Sequence, residues 1–338
     1  MNIIYTDTHL HHNPPGEFVC DGLYPYSEAP ARAEAILKTL QQEGYTEIVP
    51  PRDYSFDLLR AVHDADYLRY LENIYPAWEE ASRPQSGVIP ETFALRTLHT
   101  RPTRLLKQAG YYCFDAQTPI VSQTHTAAVA AARCALTGAD QLLGGATSVY
   151  ALCRPPGHHA GRALYGGYCY LNNAAIAAAY LSQQAPVAVL DIDYHHGNGT
   201  QDIFYDSDRV LFISIHADPN RAYPFFSGYA DERGAGTGAG FNHNFPLPPR
   251  VDDDHYLQVL DRALETVRIF GPGFLVLSAG LDIYREDPLG DFDISLEAFT
   301  RIGEHITGTG LPVLLVQEGG YNIQQLGHAV SNLLSGFE

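Results

Sequence analysis

The chain has 338 residues, of which 45% are hydrophobic, and a formal charge of −18. That apolar content supports a sizeable core and excludes a disordered chain, while the acidic balance leaves no basic groove for nucleic acid. No apolar run approaches the ~20 residues a membrane helix needs, so a membrane is not an expected partner either.

The opening residues, MNIIYTDTHLHH, have neither a basic start nor an apolar centre, and read as a short strand at 3–5 rather than a signal peptide. Helical patterns follow at 31–42 and 64–80. Residues 81–123 are polar, with Pro84, Pro90, Pro102 and several arginines, and read as an insertion. Its apolar residues Val88, Ile89, Phe93, Leu95 and Leu98 are expected to stay partly exposed in a monomer and to mark a homodimer contact. Then come a helix at 124–136, a strand at 149–153, a helix at 173–182 and strands at 187–190 and 210–215. Residues 217–250, rich in Gly and Pro, read as a long surface loop. A helix at 252–270, a strand at 274–278, a helix at 296–307, a strand at 312–316 and a helix at 323–334 complete the chain. Continuous apolar strands separated by helices predict an α/β fold with a parallel sheet covered on both faces. No linker divides the pattern, so residues 1–338 are expected to form one domain. Cys20, Cys113, Cys134, Cys153 and Cys169 are odd in number and never in C-x-x-C spacing. They argue for a reducing cytoplasm and against a disulfide framework or a cysteine-based metal site.

Ligand sites in open parallel sheets lie beyond the carboxyl ends of the strands. After 149–153 comes Arg154-Pro155-Pro156-Gly157-His158-His159; after 187–190, Asp191-Ile192-Asp193-Tyr194-His195-His196-Gly197-Asn198. After 274–278 comes Ala279-Gly280-Leu281-Asp282, and after 312–316, Gln317-Glu318-Gly319-Gly320-Tyr321. Asp193 and His195, two apart on an extended segment, face one side. Asp282 can join them from a neighbouring strand end. Two carboxylates and an imidazole suit a catalytic zinc with an open position, and without cysteine iron or cobalt also fit. The Pro-Pro-Gly turn can present His158 and His159 to one cleft, with Asp191 and Asn198 available to hold their far nitrogens. A carboxylate partner favours the imidazolium and an amide does not, so one ring could serve as base and the other as electrostatic support. Tyr321, on a Gly-Gly segment, could donate to a tetrahedral oxyanion.

RPPGHHAG (154–161), GGYCYLNNAAIAA (166–178), DIDYHHGNGTQDIFY (191–205), SAGLDIYREDPLG (278–290) and EGGYN (318–322) stand in an order that resembles the histone deacetylase-like amidohydrolases of the arginase–deacetylase superfamily. GYYC (110–113) and GYADERGAGTGAG (228–240) are most similar to the bacterial acetylpolyamine branch. The resemblance implies a central eight-stranded parallel sheet with helices on both sides. It implies one zinc ion on Asp193, His195 and Asp282, a potassium ion near Asp191, Asp193 and Ser214, and His158 paired with Asp191. It makes His159, paired with Asn198, the general base and Tyr321 the oxyanion donor. Tyr168, with Gly167 beside it, and Tyr223 take the places of the aromatic walls around the substrate chain.

Relatives that act on polyamines can place carboxylates at the entrance. Here residues 104–116 offer only Asp115, and Glu17 is the remaining acidic candidate, with a solvated surface acid as its alternative. A two-manganese site of the arginase kind would need an aspartate two residues after Asp282, where Tyr284 stands. The expected activity is deacetylation of acetylpolyamines or similar small acetylated amines. A protein lysine deacetylase and a non-catalytic binder of acetylated ligands are the alternatives.

Overall fold

The computed structural model describes residues 1–19 and 22–338, so Cys20 lies outside the described residues. The strands are β1 (Asn2–Ile4), β2 (Glu17–Val19), β3 (Gly22–Tyr24), β4 (Ile48–Val49), β5 (Ser148–Ala151), β6 (Val187–Asp191), β7 (Val210–Ala217), β8 (Asn242–Leu247), β9 (Phe274–Ala279) and β10 (Val313–Gln317). The α-helices are α1 (Ala31–Gln42), α2 (Asp57–Arg60), α3 (Ala65–Glu80), α4 (Ala109–Tyr112), α5 (Thr124–Leu143), α6 (Asn173–Leu181), α7 (Asn198–Phe204), α8 (Asp253–Phe270), α9 (Leu296–Thr307) and α10 (Ile323–Ser335). Eight strands form one parallel sheet in the order β4-β1-β5-β10-β9-β6-β7-β8.

The interior strands are largely apolar because both faces are covered. Along β6, Ala188 and Leu190 pack with Ile36, Leu260, Phe299 and Val330 from α1, α8, α9 and α10. Val187 and Val189 pack on the other side with Tyr67, Ala131, Ile176 and Ile203 from α3, α5, α6 and α7. Burying one such aliphatic side chain contributes ~1.5–3 kcal/mol. Helix starts follow side-chain capping. Asn172, Asp252 and Ser295 accept from the backbone N–H of Ala175, His255 and Ala298. No described helix is long and apolar enough to cross a membrane.

Six of the eight sheet strands match apolar runs in the sequence. The other two are the edges. β4 is a two-residue strand. β8 corrects the reading of 217–250 as loop throughout: NHNFPL pairs in parallel with β7 from Phe212 to Ala217. Asn, His and Pro are poor strand formers, and the neighbouring strand imposed the pairing. Val88 also departs from expectation. It is fully buried, its backbone bonded both ways to Ile120, whereas Leu95 and Leu98 are exposed.

Candidate active site

The carboxyl ends of β5, β6, β9 and β10 bring the chemical residues together. Asp193, His195 and Asp282 have ligand atoms within 4.8 Å of one another. His195 Nδ1 lies 3.3 Å from Asp193 Oδ1 and 3.0 Å from Asp282 Oδ2. Both carboxylates are buried. Burial and the Asp193 charge push Asp282 up to about 7. Burial alone would lower His195, but its bonds to Asp193 and Asp282 raise it to about 10. Two buried carboxylates converging on one imidazole call for a cation. The backbone leaves room for it, since a Cβ on Gly319 would come within 2.5 Å of oxygens of both Asp193 and Asp282. The donor set fits a single divalent metal with one side open to the cavity. His158, Cys169 and Glu318 also lie close together. Burial keeps the Cys169 thiol protonated, and it donates to Gly167 O, so that group is not equivalent.

The histidine pair is held as two different dyads. His158 Nδ1 lies 3.0 Å from Asp191 Oδ2, and His159 Nδ1 lies 2.7 Å from Asn198 Oδ1. Burial opposes charge on His158, but Asp193 and Asp191 overcome it and raise the ring to about 10. Burial, then the neighbouring His158 and His195, holds His159 well below its ordinary value. The two surroundings therefore push the rings in opposite directions, His158 toward the imidazolium and His159 toward the neutral imidazole. Their ring centroids are 4.0 Å apart. Glu318 fixes the turn beneath them by accepting from the N–H groups of Gly157 at 2.6 Å and His158 at 3.1 Å.

Above this floor opens a cavity of about 390 Å³. His159, His195, Tyr321, Gly167, Tyr168, Tyr223 and Glu17 all line it. Asp191, Asp193, Asn198, His158 and Asp282 lie beneath or beside those residues. Burial keeps the Tyr321 phenol protonated far above neutral pH, so it is a donor. The Arg32 guanidinium stands 4.7 Å over its ring, and Arg32 donates to the carbonyls of Gly320 and Glu318. Gly167 and Tyr168 both have left-handed backbones, with φ of 55° and 65°. A Cβ on Gly167 would lie 2.2 Å from His159 Cδ2, so glycine is required where the slot wall meets the base.

Glu17 is a buried wall residue rather than a solvated acid. It sits on the β2–β3 hairpin and accepts from Ser27 N at 3.0 Å, Ser27 Oγ at 2.6 Å and Tyr168 Oη at 2.6 Å. The structure adds residues that sequence reasoning did not single out. Val19, Tyr24, Ser27, Gln117 and Leu289 line the cavity. Arg32 and Asp287 fix the Tyr321 segment, Asp287 by accepting from Tyr321 N at 2.6 Å. None of these had a signal beyond proximity to a motif, and Arg32 sits in a helix whose pattern reads as core.

The sequence and the fold are shared with known proteins. A model of the family described as histone deacetylase domain matches residues 26–337. The chain is 44% identical to acetylpolyamine amidohydrolase 1 of Pseudomonas aeruginosa, over 100% of this chain and 99% of that protein. It is 38% identical to acetylpolyamine amidohydrolase of Mycoplana ramosa, over 99% of each. The crystal structure of acetylpolyamine aminohydrolase from Burkholderia pseudomallei superposes with a TM-score of 0.95 at 38% identity, covering 100% of this chain and 98% of that one. With the family model matched over most of the chain, and a relative and a solved structure matched along its full length, the chain belongs to the histone deacetylase domain family.

Proposed function

We propose that this chain is a zinc-dependent amidohydrolase that removes the acetyl group from acetylpolyamines and related small acetylated amines, giving acetate and the free amine. The observation that carries the reading is the floor of the cavity. There His159 and Tyr321 line the same cavity as His195 of the Asp193–His195–Asp282 cluster. The relatives named acetylpolyamine amidohydrolase match the chain along its whole length.

A zinc ion held by Asp193, His195 and Asp282 would supply Lewis acidity toward the acetyl carbonyl and acidify water. His159 takes the proton of the attacking water, with Asn198 fixing its ring. Tyr321 donates a hydrogen bond to the oxygen that gains charge. His158, held charged by Asp191, adds positive potential under the forming tetrahedral centre. His159 then passes its proton to the amine nitrogen, the C–N bond breaks, and acetic acid and neutral amine leave, the acid's proton passing to the amine in water to give acetate and ammonium.

Potassium beside the zinc site belongs to the same reading. It is supported by Asp191 and Ser214 standing in register on β6 and β7. The whole chain, 1–338, would act as one catalytic domain in a reducing cytoplasm, where the four described cysteines are buried and free. Segment 81–123 would be an insertion that forms a homodimer face, supported by Leu95 and Leu98 at 56% and 70% exposure. Light scattering on the parent and on a Leu95→Asp/Leu98→Asp variant tests it; a monomeric parent at micromolar concentration overturns it. The function itself is tested on the zinc-loaded protein with acetylputrescine, acetylcadaverine, acetylspermidines and an acetyl-lysine peptide. Turnover of the small amines above the peptide is expected, and a clear preference for the peptide overturns the substrate assignment.

A further inference from the structure

The slot has an unusual way of using its acids. Among the described residues lining the cavity Glu17 is the one carboxylate, and both its oxygens are already engaged by Ser27 and by the Tyr168 hydroxyl. Asp115 does not line the cavity. Its Oδ2 accepts from Gly167 N at 2.6 Å and from Tyr223 Oη at 2.9 Å, and its Oδ1 accepts from Gln117 N at 3.1 Å. Thr118 Oγ1 takes the next N–H, that of Tyr168, at 3.0 Å. The segment 115–118 thus holds two consecutive left-handed residues, one of which carries a Cβ and would not rest there unaided.

Two consequences follow. One carboxylate group ties both walls of the slot, the Gly167–Tyr168 wall and Tyr223, to a single point. Each wall phenol also donates to a carboxylate, Tyr168 to Glu17 and Tyr223 to Asp115. A phenol bonded to an anion has a more negative ring face, and a ring face attracts an alkylammonium. Burial raises the Asp115 carboxyl, while the bonds from Gly167, Thr118, Tyr223 and Gln117 hold it back toward the anion.

We infer that Asp115 is a specificity-determining positioning residue: with Glu17 it anchors the two slot tyrosines and makes their ring faces the receptor for the protonated far nitrogen of the substrate. The ammonium is then recognised through aromatic faces backed by anions, and not by a direct salt bridge. This rests on the acetylated-amine reading above.

The test uses the zinc-loaded enzyme and two substrates of equal length, N-(4-aminobutyl)acetamide and N-pentylacetamide, in which a methyl replaces the ammonium. The variants are Asp115→Asn, Glu17→Gln and Tyr223→Phe. The parent prefers the ammonium substrate. Each variant lowers the ratio of kcat/KM values, ammonium over neutral, about three- to tenfold, and the fall lies in the KM of the ammonium substrate. A purely structural role for Asp115 would lower both substrates together and leave the ratio unchanged, which overturns the inference, as does a parent that turns over both amides equally well. If Asp115→Asn does not fold, Tyr223→Phe, which loses only the hydroxyl, decides alone. A parent inactive on both amides would instead overturn the acetylated-amine reading.

Discussion

The floor of the cavity and its walls are built on different principles. The floor residues sit within a few positions of the ends of β5, β6, β9 and β10, each strand buried on both faces. Asp191, Asp193, Asp282 and Glu318 are fully buried; Asp193, Asp282 and Glu318 accept from backbone N–H groups of neighbouring strand ends, and Asp191 accepts from Asp193 N on its own strand end. The walls come from the β2–β3 hairpin, segment 115–118, the turn at Gly167–Tyr168 and the loop bearing Tyr223. They are fastened by side chains such as Glu17, Asp115 and Thr118. Chemistry that needs sub-ångström placement is carried by the sheet. On the proposed function, choice of substrate would be carried by loops that can change without disturbing it.

The largest effect expected of that division is at the floor. Asp193→Ala or His195→Ala should lose both bound metal and turnover, by more than the ~10–100-fold that removal of an outer partner of a metal ligand costs. Elemental analysis giving full metal occupancy in either variant would break the assignment of the floor.

Next come the proton carriers. Tyr321→Phe keeps the ring and should retain metal while losing about 100–1000-fold in turnover. His159→Ala should behave similarly. Near-parental rates in either, measured on one good acetylated amine, would remove that residue from the chemistry.

At the wall the expected effect is smaller and differs in kind. Tyr168→Ala should alter the ranking of amine substrates more than it alters metal content. Losing a ring face for an ammonium is worth ~0.5–2 kcal/mol, or up to about 30-fold in relative kcat/KM. An unchanged ranking would mean that the slot is read elsewhere.

The smallest effect falls on the support of that wall and concerns stability. His63 is buried, with Nδ1 2.8 Å from Gly161 O and Nε2 accepting from Asn172 N at 2.9 Å, the two ends of the stretch that carries Gly167 and Tyr168. Burial lowers its pKa to about 4, against bonds to backbone that act the other way. The unfolded chain therefore takes up a proton near pH 6.5 that the folded chain refuses. Stability from this group is present above pH 6.5, falls as pH drops, and stops falling near pH 4. Between pH 7 and 5 the loss is ~2 kcal/mol. Urea unfolding of the metal-free protein at both pH values should show His63→Gln less pH-dependent than the parent by up to that amount. Equal slopes would mean that His63 titrates as an ordinary surface histidine.

Local sequence was enough for the interior strands, the long helices and the floor. A run such as VAVL has no polar side chain, is rich in β-branched residues and is short, as suits a strand buried on both faces. The chemical residues stand directly after such runs, so their convergence follows from parallel pairing. The family motifs fixed the pairings of His158 with Asp191 and of His159 with Asn198. Tertiary structure decided what local composition does not encode. The edge strand NHNFPL forms because β7 offers it an open ladder, against its own propensities. Glu17 reads as a surface acid by type, yet it is buried because a tyrosine 151 positions away donates to it. Asp115 reads as one more loop aspartate, and its role exists only because Gly167 N and the Tyr223 hydroxyl meet at the same oxygen. Those contacts join residues about 50 to 150 positions apart, and no periodicity or spacing along the chain records them.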